Sequence, residues 1–145
     1  MPLFHREKKE RAIIVGCGRL GAQMAEMLSD QNAHVTVLDR DERAFRRLPA
    51  SYGGMTLEGD GSDFDTLVQA GATSATLLCA TTEDDDVNIM VGQIAKEILK
   101  IHTVFVRLHD TEKQDAFRNS GIVTLSPSAL CLREFGRIME EKKAE

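Results

Sequence analysis

The chain has 145 residues, 42% of them hydrophobic and 28% charged. That is one domain's worth of sequence, able to bury a core without a disulfide or metal staple, and its composition excludes disorder, collagen and coiled coil. Eighteen basic against 23 acidic residues leave a net charge of −5, which argues against a nucleic-acid binder; no apolar run is long enough to insert in a bilayer, and the opening MPLFHREKKE lacks the apolar stretch of a signal peptide.

In chain order the pattern is an alternation. Residues 1–9 read as a short N-terminal extension. Ala12-Ile13-Ile14-Val15 is a β-rich run that stops at Gly16, and Leu20, Met24 and Leu28 then recur one helical turn apart. His34 to Leu38 reads as strand and Asp41 to Leu48 as helix, with Asp41 as N-cap. Gly54 to Leu57 is a weaker strand, followed by a short helix carrying Phe64, Leu67 and Val68 behind Ser62 or Asp63. Ala75 to Ala80 reads as a buried strand, Asp85 to Leu99 as helix, Thr103 to Val106 as strand, and Glu112 to Asn119 as helix ended by Gly121. Ile122 to Leu125 is a last strand, and a final helix runs from Ser128 to Glu141 behind Pro127. Continuous apolar strands joined by helices mean a parallel sheet covered on both faces. With right-handed crossovers the expectation is an α/β, doubly wound, Rossmann-like domain over residues 10–142, with six parallel strands in the order 3-2-1-4-5-6.

Gly16-Cys17-Gly18-Arg19-Leu20-Gly21 is a G-x-G-x-x-G motif set between the first strand and first helix, the context a dinucleotide-binding loop requires. Gly16 permits the turn, Gly18 lets a phosphate approach the backbone, and Gly21 lets the helix pack close to the strand. The helix N-terminus offers N–H groups and partial positive charge to an anion. Asp39, 18 residues beyond Gly21 at the end of the second strand, can accept from ribose hydroxyls and would repel a 2′-phosphate. Its neighbour Arg40 can meet a phosphate or stack on adenine. Asp60, between Gly59 and Gly61, falls where a carboxylate can accept from the adenine amino group.

These residues together resemble the N-terminal nucleotide-binding domain (RCK N-domain, KTN or TrkA-N) of the Trk/Ktr potassium-transport regulators. The landmarks are Ile13 to Gly21, Val37-Leu38-Asp39-Arg40-Asp41, Gly59-Asp60-Gly61-Ser62-Asp63 with Ala70-Gly71, Ala80-Thr81-Thr82-Glu83 through Asp86-Val87-Asn88-Ile89, and Asn119 to Ile122 before Pro127. The resemblance covers residues 10 to 140. It implies a regulator rather than a catalyst, one that binds NAD(H), ATP, ADP or AMP, assembles as a homodimer or larger ring, and gates a membrane potassium transporter or channel from the cytoplasmic side. It implies that Arg19 reaches nucleotide phosphates, and that Ala80, Thr81 and Thr82 lie where the loop after the fourth strand approaches the ligand. The family often adds a smaller C-terminal RCK domain, which this sequence lacks and which a separate chain would then supply. Some members carry a glutamate after the proline before the last helix; here that residue is Ser128.

The remaining features read more plainly. Glu83 to Asp86 are expected to cap and complement a helix N-terminus rather than bind a metal, with Asn88 fixing the preceding loop. Arg107, at the end of the fifth strand, can contact phosphate or pair with an acid such as Asp110. His5, His34, His102 and His109 show no ligand spacing. Cys17, Cys79 and Cys131 are spaced for neither a disulfide framework nor a metal, and are expected as small buried hydrophobes in a reducing, cytoplasmic compartment. Leu132, Phe135, Ile138 and Met139 form an apolar stripe on the last helix, which either packs on its own sheet or crosses to a neighbouring subunit. Three functions follow: a nucleotide-sensing subunit for potassium transport, a small NAD-dependent oxidoreductase, or an NADH/NAD redox sensor for another partner. The lack of room for a substrate domain, and of an evident acid–base pair, counts against the second.

Overall fold

A computed structural model describes residues 9–145; His5 and nearly all of the N-terminal extension lie outside them. The strands are β1 (Arg11–Val15), β2 (His34–Asp39), β3 (Met55–Glu58), β4 (Leu77–Ala80), β5 (Thr103–Arg107) and β6 (Ile122–Leu125). They form one parallel sheet in the order β3-β2-β1-β4-β5-β6, as the alternation of apolar strands and helices implied. The central strands are buried on both faces, so their residues split by parity rather than by polarity. Ile13 and Val15 join Leu38, Leu78, Val104 and Val106 on one side, whereas Ala12 and Ile14 join Val35, Val37 and Cys79 on the other.

The α-helices are α1 (Arg19–Asp30), α2 (Phe64–Gln69), α3 (Asp85–Gln93) and α4 (Pro127–Lys143). Two expected α-helices are instead 3-10 segments, at Glu42–Arg47 and Thr111–Phe117. Both begin at an aspartate, Asp41 or Asp110, whose carboxylate accepts from the N–H two residues on. Such a local bond forms a tight turn readily, and few apolar side chains follow to reward a longer helix. The helix expected through Leu99 passes into a π-helical turn at Ile94–Ile98, where Leu99 N–H donates to Ile94 O.

The two faces of the sheet are covered unequally. Leu67 of α2, Val91 of α3 and Phe117 all pack on the first face. The opposite face carries α1 and the 42–47 turn over β1 and β2, while Val123, beside Phe105 in the β5–β6 register, remains 45% exposed. No residue of α4 is buried, so its apolar stripe does not pack on its own sheet. Cys131 lies on that helix and is exposed, contrary to expectation, whereas Cys17 and Cys79 are buried.

Candidate functional site

In a doubly wound sheet the ligand crevice opens at the carboxyl ends of the strands, where the connections turn to opposite faces. Here that point lies between β1 and β4. The ends of β1 to β4 surround a cavity of about 320 Å³, lined by Gly16, Cys17, Gly18, Asp39, Arg40, Gly59, Asp60, Gly61, Thr81 and Thr82 from the expected set. Sequence reasoning missed Asp41, Ala44, Arg47 and Val87 among its walls, and gave Glu83 a purely helix-capping part. Arg19, Leu20 and Arg107 do not line this cavity; they line an adjoining groove that shares Gly18, Arg47 and Glu83 with it.

The glycine loop has three separate reasons for its three glycines. Gly16 has φ +101°, and a Cβ there would stand 2.8 Å from Thr82 N. A Cβ on Gly21 would stand 1.9 Å from Gly16 O, so α1 packs against the turn with no room for a side chain. Gly18 differs: its φ of −81° suits any residue, and a Cβ would meet only Glu83 Oε1, at 3.7 Å. Its missing side chain leaves space in the site. Gly18 also caps α1 without a side-chain acceptor, and the first turn holds no acid; α2, α3 and α4 are each capped by a side chain, Asp63, Asp84 or Ser126. The positive end of α1 therefore faces the site with neither a side-chain cap nor a first-turn acid of its own.

Asp39 reaches back to the loop. Its Oδ2 accepts from Cys17 N–H at 2.8 Å and its Oδ1 from Asp41 N–H at 2.9 Å. Arg47 Nη1 donates to Cys17 O at 3.4 Å. Burial and the Asp39 charge push the Cys17 thiol pKa up against the pull of Arg47. Burial lifts the Cys79 thiol to about 12, so neither is a ready thiolate nucleophile. Asp60 Oδ1 accepts from the Ser62 hydroxyl and N–H, at 2.7 and 2.9 Å. These two bonds, with the charge of Arg40, hold its carboxyl below the ordinary aspartate value.

On the β4 side the Thr81 hydroxyl is buried over the glycine loop, 3.0 Å from Gly16 O and 3.2 Å from Val15 O. Asn88 is fully buried and pairs at both ends of its amide. Its Oδ1 accepts from Thr82 N–H and Oγ1, and its Nδ2 donates to Thr82 O and Arg107 O. It thus fixes the loop after β4, as its place in the sequence suggested, and also ties that loop to the end of β5. Two of the expected site residues belong elsewhere: Gly21 lies beneath the loop, and Ala80 is wholly buried between Val15 and Val106.

Arg107 does not pair with Asp110. Its Nη2 donates to Thr82 O at 2.6 Å and lies 3.3 Å from Glu83 Oε1. The other acids after β4 point in different directions: Asp84 caps α3, Asp86 meets Lys113 Nζ at 3.2 Å, and Asp85 accepts from His109 and Asp110. Burial is the largest single influence on Asp85 and raises its pKa. The N–H groups of His109 and Asp110 together with the His109 ring outweigh it and hold the carboxyl low.

With this geometry in view, the TrkA-N domain family model matches residues 12–126. The Trk system potassium uptake protein TrkA of Streptomyces coelicolor is 37% identical over 114 residues, covering 79% of this chain and 51% of that protein. Among solved structures, the GsuK channel bound to NAD superposes with a TM-score of 0.78 at 25% identity, covering 94% of this chain and 24% of that one. GsuK bound to ADP gives a TM-score of 0.75 at the same identity, covering 92% and 34%. The chain spans about half or less of the length of the curated relatives it matches.

Proposed function

The chain belongs to the TrkA-N domain family, and from that premise we propose that it is the nucleotide-sensing part of a potassium-transport regulator. The observation that carries this reading is the cavity at the sheet's switch point, bounded by an uncapped helix N-terminus with an open Gly18 on one side and by Asp39 on the other. An adenine nucleotide fits that arrangement in one direction. Its phosphates sit on the loop and the α1 N-terminus, its ribose hydroxyls meet Asp39, and its adenine lies toward Arg40 and the Gly59-Asp60-Gly61 turn. Arg19, Arg47 and Arg107 supply positive charge at the phosphate end. Related proteins solved with NAD and with ADP support the ligand class.

The part is regulatory rather than catalytic. The residues around the cavity bind and orient, and the buried thiols are held protonated. Ligand state reaches a membrane potassium transporter or channel through contacts between chains, by differential affinity of each nucleotide for the forms of an assembly. The exposed stripe Leu132, Phe135, Ile138 and Met139 of α4, with the exposed Val123 of β6, is the surface for a homodimer or larger ring. Among the described residues no helix is long and apolar enough to cross a membrane, in keeping with a domain that works at the cytoplasmic face through its partner.

Thermal melting tests the ligand. NAD, ADP, ATP or AMP at about one hundred times its Kd stabilises the protein by about 2.7 kcal/mol, a rise of several degrees. NADP produces much less, because its 2′-phosphate meets the Asp39 carboxylate. No rise with any of the four, or a larger one with NADP, overturns the site; turnover of NADH with a carbonyl substrate favours an oxidoreductase instead.

A further inference from the structure

The groove beside the nucleotide cavity holds one acid, Glu83, that the proposed function does not use. Arg107 is only 7% exposed, and a buried guanidinium needs a counter-charge. Among the described residues its one carboxylate partner is Glu83, whose side chain is 83% exposed. Arg107 Nε, buried, has no hydrogen-bond partner among the described residues. That orphaned N–H leaves the guanidinium dependent on Glu83 for its charge compensation. Glu83 Oε1 stands 3.3 Å from Arg107 Nη2 and 3.7 Å from where a Cβ of Gly18 would be. A single carboxylate oxygen thus occupies the gap between the phosphate loop and the buried arginine. With Arg19, Arg47 and Arg107 against Glu83, the groove carries a surplus of positive charge.

We propose that Glu83 is an internal stand-in for a terminal phosphate, which it competes with, so that it sets the selectivity of the site against nucleoside di- and triphosphates. This rests on the reading of the cavity as an adenine-nucleotide site. The α-phosphate is held by the loop and the α1 N-terminus. Phosphates beyond it run past Gly18 into the groove, toward the place Glu83 holds. A terminal phosphate brings more acceptor oxygens and more charge than a carboxylate, and it suits a guanidinium fork better. It must first displace Glu83 or bear its repulsion. His109 offers the displaced carboxylate a second berth: its Nε2 lies 3.8 Å from Glu83 Oε2, while its Nδ1 is tied to Asp85 at 3.1 Å. AMP, with no phosphate beyond the loop, leaves the Glu83–Arg107 pair in place.

Calorimetric titration of wild type and Glu83→Gln with AMP, ADP and ATP, at one ionic strength, tests this. Removing a like charge beside each added phosphate should tighten ADP and ATP by roughly ten-fold or more, with AMP changed by no more than about three-fold. A defect in loop shape would shift all three together. An equal change in all three, or weaker ADP and ATP, overturns the proposal while leaving the nucleotide site standing. A wild type that binds none of AMP, ADP, ATP or NAD overturns the site and the proposal with it.

Discussion

Gly18 and Gly21 belong to one motif, yet the structure assigns them opposite kinds of necessity, and substituting each by alanine separates them. A methyl at Gly21 would lie 1.9 Å from Gly16 O and 2.8 Å from Thr81 Oγ1. The first contact is to backbone, so α1 and the turn must part by well over an ångström. Alanine within α1 gains about 1 kcal/mol of helix propensity, but overpacking of this kind costs about 1–3 kcal/mol or more, and the turn that moves is stitched to β2 and β4. We expect a net loss of about 2 kcal/mol, a fall in melting temperature of about 4–8 °C for a chain of this size. At Gly18 the methyl meets nothing nearer than Glu83 Oε1 at 3.7 Å, with φ already at −81°. Gly18→Ala should therefore lose only about 0.5–1 kcal/mol, glycine's advantage over alanine as the N-cap of α1, and melt about 1–4 °C below wild type. On the proposed reading it should still lose most of its affinity for ADP, because the methyl would stand in the phosphate's path. Differential scanning calorimetry with and without ADP reads both effects. A Gly21→Ala protein that melts with wild type refutes the packing argument; a Gly18→Ala protein that binds ADP as wild type refutes the phosphate path.

Phe135→Asp puts a charge in the exposed stripe of α4 and should release monomers with nucleotide binding intact; light scattering that finds the wild type already monomeric at high micromolar concentration refutes the interface. Asn88→Asp replaces a donor to Thr82 O and Arg107 O with a buried acceptor. It should cost about 3 kcal/mol, lowering the melting temperature by about 6–12 °C; a shift under about 2 °C would show that the amide is not the tie between β4 and β5. Asp85 has its carboxyl held below the ordinary value of 3.8, so it contributes stability that is fully present above that value and lost as pH falls through the lower folded one. The urea midpoint of Asp85→Asn should thus lie below wild type near neutrality and converge on it in acid; a gap that stays constant with pH would remove the charge from the account.

The sheet was legible because its strands are short apolar runs ended by Gly16, Asp39, Gly59 and similar punctuation, and connection handedness leaves few orders open. Helix type was less so. Asp41 and Asp110 announce a helix start in the same way as Asp63 and Asp84, and only packing decides whether a 3-10 turn or an α-helix follows. The glycine loop and Asp39 were readable since their chemistry is local. Arg47 and Glu83 were not: they join Cys17 and Gly18 across 30 and 65 residues of sequence, and no spacing rule connects them. Ala80 illustrates the converse, a residue inside a telling motif whose side chain points into the core. Cys131 was misplaced because periodicity shows that α4 has an apolar face without showing what the face meets.

The bond from Cys17 N–H to Asp39 gives that carboxylate two employments. Within the fold it pins the glycine loop to the end of β2, while Gly16 N–H donates to Leu38 O beside it. The loop is therefore held by the chain's own hydrogen bonds, and a phosphate bound there as proposed need not spend affinity on ordering it. Binding should then proceed without a slow loop-closure step. An Asp39 substitution should weaken adenosine and inorganic pyrophosphate alike, the first through the lost ribose contact and the second through a slackened loop.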